Sequence, residues 1–119
     1  MNFFYVFLGG GLGALSRYGI ARLVPVATHG FPWATFITNI ISCIFLGYLL
    51  GLTLNKGLDN RLQLLLMTGF CGGFSTFSSY TAETLKLLEQ QQYSLVLIYV
   101  FASILLCLIC MWIGIKIST

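Results

Sequence analysis

The residues with the most chemistry to offer lie close together in positions 69–80, GFCGGFSTFSSY, where paired glycines meet Ser75, Thr76, Ser78 and Ser79 among several aromatic rings. Glycine pairs and short hydroxyl side chains give up helix propensity, so such a run is costly in an otherwise apolar segment. What it supplies is hydrogen-bond donors, the positively polarised edges of Phe77 and Tyr80, and main-chain carbonyls wherever the helix is interrupted. If helix resumes after the glycines, Phe77 and Tyr80 stand three apart and share a face. Further polar groups stand alone in apolar surroundings elsewhere: Arg17, the amide of Asn39, and Tyr99, Ser103 and Cys107 at successive four-residue steps. Together they form a lining of neutral donors with one cation, which suits a small anion. No nucleophile is paired with a base, and no nucleotide fingerprint or metal-ligand set is present, so an enzyme is not expected.

The elements that carry these groups are membrane spans. The 119 residues are 58% hydrophobic and only 8% charged, outside the range of a soluble domain. Apolar segments recur at 2–24, 33–54, 62–88 and 94–115, each long enough at about 1.5 Å per residue to cross a core of about 30 Å. The expected fold is therefore a single all-α domain over 1–119 with four transmembrane helices. The third is expected to break in mid-membrane at Gly72 and Gly73, because freed backbone survives there only inside protein or beside a wet cavity. The first span lacks a basic leader and carries Arg17 and Arg22 at its far end, so it is read as a span and not as a cleaved signal.

Small residues recur every fourth position in span one (Gly9, Gly13; Gly10, Ala14) and span two (Gly47, Gly51), the spacing that lets helices approach closely. Arg17 must face a vestibule or a partner, or else snorkel to the interface. Arg22 reads as an interfacial anchor, Trp33 as a headgroup-level aromatic, and His29 as a loop residue. Asn39 is either interhelical glue or a donor facing a pathway. Cys43, Cys71, Cys107 and Cys110 read as small packing residues. Asp59, Glu83 and Glu89 fall in loops or near span ends, so the proton-exchanging carboxylate of a coupled transporter is missing from mid-membrane.

With four crossings, Lys56, Arg61 and Lys116 lie on one side and Arg17, Arg22 and Lys86 on the other. Three against three gives the positive-inside rule no bias to act on, so the chain can insert both ways and pair antiparallel with itself. The net charge of +3 is too dispersed for nucleic-acid binding.

The stretch from Gly10 to Tyr18, Asn39, and the run from Gly69 to Ser78 closely resemble the Fluc (CrcB) family of fluoride channels over the whole chain. The resemblance implies a dual-topology antiparallel homodimer in the plasma membrane that passively exports fluoride from the cytoplasm. It also implies a structural Na⁺ at the dimer centre, held by the backbone carbonyls of Gly72 and Ser75. By the same resemblance Asn39 is the pore amide, Phe77 and Tyr80 the aromatic pair, and Tyr99, Ser103 and Cys107 the polar track; Ser78 and Arg17 are also expected among the pore residues. Tyr80 stands where the family usually has phenylalanine, and Cys107 where it often has serine. A small dual-topology multidrug exporter would share the size and charge balance, but it needs a glutamate within span one and this chain has none.

Overall fold

The computed structural model describes residues 1–24 and 30–119; His29 lies outside them. Among the described residues every regular element is helical. Helix α1 is Asn2–Leu23 and α2 is Trp33–Asn55. The third span is assembled from pieces: α3, Asn60–Leu62; a wide π-helical stretch, Gln63–Cys71; α4, Gly72–Phe74; and, after an interruption, α5, Phe77–Glu89. The last span is α6, Tyr93–Ile117. The molecule is 47 Å along its longest axis, matching a bilayer of about 40–45 Å with its headgroups.

Length and apolarity qualify α2 and α6 on their own as membrane-crossing helices. Alongside them lie α1, interrupted by glycines and arginines, and the divided third span. Large apolar side chains face outward along the chain, including Phe7, Leu15, Phe101, Leu105 and Leu108. So much apolar surface would be a liability in water and is the ordinary exterior of a protein in lipid. Trp33 is half exposed near the end of α2, in contact with the ring of Phe31, in keeping with a headgroup-level residue.

Two close helix interfaces set the register. Buried Gly9 and Gly13 of α1 lie on the first half of span three, where a methyl on either would strike the Leu65 or Phe70 carbonyl. On the other side, Gly47 meets the backbone at Met111, and Gly114 meets it at Ile44. The four-residue glycine spacing is thus used as expected, to bring backbones together without side chains between them.

The break in span three is real, but it sits further along than the glycines indicate. Gly72 keeps helical angles (φ −64°, ψ −36°), whereas Ser75 (ψ 157°) and Thr76 (φ −150°, ψ 125°) are extended. Gly73 is needed for packing: a methyl there would strike the Gly10 carbonyl of α1. Hydroxyl chemistry makes the interruption. The Ser75 hydroxyl turns back to the Cys71 carbonyl at 2.7 Å, and Thr76 Oγ1 accepts from the Ser79 amide at 3.2 Å, capping the new helix.

Candidate functional site

The site is built from one face of α2. Thr35, then Thr38 and Asn39, then Ser42 and Cys43 recur at three- and four-residue spacing and so form a stripe along the helix. Three of them reach the third span on both sides of its break. Ser42 Oγ donates to the Cys71 carbonyl at 3.5 Å, Asn39 Oδ1 accepts from the Thr76 amide at 3.1 Å, and Thr35 Oγ1 donates to Glu83 Oε1 at 2.6 Å.

A count of the backbone partners explains why these contacts matter. In an unbroken helix the Thr76 amide would serve the Gly72 carbonyl, and the Phe77 amide the Gly73 carbonyl. Here the Thr76 amide is turned to Asn39, and Arg17 Nε donates to the Gly73 carbonyl at 3.2 Å. Arg17 is half-buried, and with Asn39 it compensates groups that the interruption deprives of intrahelical partners.

Two cavities flank the break and share Thr76. The first, about 280 Å³, is a groove lined by Asn39, Cys43, Ser75, Thr76, Phe77, Tyr80, Ser103, Ile104 and Cys107. Phe77 and Tyr80 stack in it at 5.9 Å, and Phe77 is 79% exposed. Tyr80 has its hydroxyl occupied: it donates to the Val100 carbonyl of α6 at 3.3 Å. The ring is thereby tied to α6, and the aromatic face and edge remain for the groove. Behind it Tyr99 packs against Tyr80 at 4.8 Å. The Tyr99 hydroxyl and Ser103 Oγ are buried without a hydrogen-bond partner among the described residues. An unsatisfied buried hydroxyl costs about 1–3 kcal/mol, so both are open to a further hydrogen-bond partner such as water.

The second cavity, about 290 Å³, is lined by Arg17, Ala21, Ala34, Thr35, Thr38, Thr76, Ser79, Ala82 and Glu83. It carries the formal charges that the groove lacks.

Of the residues singled out from sequence, Asn39, Ser75, Phe77, Tyr80, Ser103 and Cys107 are brought to the one groove, with Tyr99 directly behind. Arg17 belongs to the other cavity. Ser78 is exposed, its hydroxyl 3.1 Å from Thr76 Oγ1, and Gly72 is exposed on α4; neither lines the groove. Of the cysteines, Cys71 is a buried packing residue, whereas Cys43 and Cys107 line the groove. Sequence reasoning missed Thr35, Thr38 and Ser42, although the polar stripe on α2 was legible at helical spacing. It also set Glu83 aside as peripheral. The carboxylate is half-buried, held by Thr35, and shares a cavity with Arg17.

Residues 4–115 match the family described as CrcB-like protein, Camphor Resistance (CrcB). The chain belongs to the CrcB family. Curated relatives of this CrcB chain carry the name "Fluoride-specific ion channel FluC". One from Nitratidesulfovibrio vulgaris is 42% identical over 109 residues, covering 90% of this chain and 88% of the relative. One from Phocaeicola vulgatus is 38% identical over 114 residues, covering 95% and 94%. A third, from Flavobacterium psychrophilum, is 37% identical over 117 residues, covering 97% and 94%. The match runs across α1, α2, the broken third span and nearly all of α6. The CrcB chain is a multi-pass membrane protein, in agreement with the apolar exterior of the fold.

Proposed function

We propose that this chain is a fluoride-selective ion channel, not an enzyme, that lets F⁻ leave the cytoplasm passively across the plasma membrane. The carrying observation is the coincidence of family and chemistry. Relatives named for fluoride align over nearly the whole chain, and the groove beside the break offers amide, hydroxyl, thiol and ring-edge groups without a formal charge. Fluoride holds its water tightly, so a pathway must replace those hydrogen bonds with equally close ones. Neutral donors do this without trapping the ion as a fixed cation would. In this reading Asn39 and the Phe77 and Tyr80 rings line the middle of the path. Tyr99, Ser103 and Cys107 continue it along α6, and Ser78 and Arg17 contribute at its approaches.

The working unit in this proposal is an antiparallel homodimer in lipid. The even division of basic residues between the two sides supports it, as does the exposure of Phe77 and Gly72 at mid-span. A structural Na⁺ belongs to the same reading. Gly72 is exposed, its usual amide partner is bonded to Asn39, and Ser75 is extended, so their carbonyls are hard oxygen donors suited to an alkali cation. When bound, Na⁺ would supply a fixed positive charge and link the two broken spans.

The test is efflux from proteoliposomes read with a fluoride electrode. Wild type is expected to release fluoride without an imposed proton gradient and to retain chloride, and Phe77→Ile is expected to slow release by about tenfold, equivalent to about 1.4 kcal/mol. Equal chloride release, or a requirement for a proton gradient, would overturn the channel reading.

A further inference from the structure

The glycine contacts between α2 and α6 fix more than packing. Gly47 stands against Met111, Gly51 against Ser118 and Ile115, and Gly114 against Ile44 and Tyr48, so the two helices run the same way with their backbones in contact. One turn before Gly47 on α2 stands Cys43, and one turn before Met111 on α6 stands Cys107; a further turn back are Asn39 and Ser103, and all four line the groove. Both thiols are half-buried and both line the groove. They are also close enough to interact directly with each other.

We propose that Cys43 and Cys107 form a two-coordinate site for a soft, thiol-seeking metal cation of the Cu⁺, Ag⁺ or Hg²⁺ type, seated in the groove one helical turn from Asn39. Sulfur ligands select soft metals over the hard cations that carbonyl oxygens hold. Zinc would need four ligands, and among the described residues no cluster of three or more His, Cys, Asp or Glu residues exists to begin such a set. Two sulfurs in one groove satisfy a metal that prefers two. The charge also balances. Hg²⁺ bound by both sulfurs displaces both thiol protons to water and leaves a neutral S–Hg–S bridge. Cu⁺ or Ag⁺ displaces one proton and is held by one thiolate and one thiol, again with no net charge. Neutral complexes are the ones a poorly solvated groove tolerates. Taken with the channel reading, on which this consequence rests, a metal bridging the two helices beside Asn39 would close the fluoride path.

The experiment uses the full chain in detergent and chloride-free buffer, with one equivalent of Hg²⁺ followed by excess monothiol competitor and gel filtration. The control, Cys71→Ser combined with Cys110→Ser, is expected to keep one Hg²⁺ per chain, measured by mass spectrometry. Cys43→Ser and Cys107→Ala, each checked for an unchanged elution profile, are expected to retain at least about tenfold less, since a lone thiol exchanges its metal with the competitor. Equal retention by either single variant, or none by the control, would overturn the site. In proteoliposomes, Hg²⁺ should stop fluoride efflux through the control protein and dithiothreitol should restore it. Retention through the pair with undiminished efflux would overturn the block. A chain that holds the metal yet carries no fluoride before or after its removal would overturn the channel reading and leave the metal site standing.

Discussion

The two cavities beside the break are nearly equal in volume and share Thr76, yet they are chemically opposed. One holds Arg17 and Glu83 among hydroxyls; the other has an amide, two thiols, hydroxyls and aromatic rings, with no formal charge. Charged side chains keep water around them, so the first cavity favours retained hydration. The second offers only neutral groups in place of water. Their meeting point is the one place where the third span stops being helical. Interrupting the regular hydrogen bonding inside a membrane is tolerable only because both neighbouring helices serve the freed groups: Asn39 from α2 and Arg17 from α1.

That contrast can be broken most completely at Asn39. Asn39→Ala removes the acceptor of the Thr76 amide at the junction, leaving a half-buried donor unpaired at a cost of up to about 1–3 kcal/mol. Both thermal stability and fluoride efflux are expected to fall, the efflux by about tenfold or more, each factor of ten corresponding to about 1.4 kcal/mol. Unchanged efflux would show that the junction does not depend on the amide.

A smaller effect, confined to the charged side, is expected of Arg17→Gln. The amide can still reach toward the Gly73 carbonyl but brings no positive potential. Efflux at low ionic strength should drop by about fivefold, equivalent to about 1 kcal/mol, and the deficit should shrink as salt screens the lost charge. A deficit that does not change with salt would make Arg17 a support for the backbone alone.

The smallest effect is expected of Tyr80→Phe. The ring stays stacked on Phe77 while the hydrogen bond to Val100 is lost, at about 1 kcal/mol of stability. Efflux should stay within about twofold of wild type, because the groove uses the ring while the hydroxyl is spent on α6. Collapse of efflux would instead make the hydroxyl the working end of that side chain.

Much of this was readable in advance because membrane burial makes polar residues conspicuous. Asn39, Phe77, Tyr80 and Ser103 stand out by type alone, and they do meet in the groove. The polar stripe on α2 was equally readable and was overlooked because threonine and serine are ordinary in membrane helices. The position of the break was misread because glycine looks like a breaker, although Gly73 is there to clear the Gly10 carbonyl. Glu83 was misjudged for a similar reason: nearness to a helix end in sequence says nothing about what lies beside it in space.

Composition and spacing were enough to settle residence in a membrane, four apolar stretches, the glycine faces that pack, and an interior supplied with neutral donors, because each reflects the cost of placing a given side chain in hydrocarbon. Which donor meets which freed backbone group was decided only when the helices packed. The packing that brings Cys43 and Cys107 to one groove, the turn of the Thr76 amide toward Asn39 and the separation of Arg17 from the aromatic pair all depend on how closely the glycines let backbones approach. That is a relation between segments distant in the chain, and no single segment contains it.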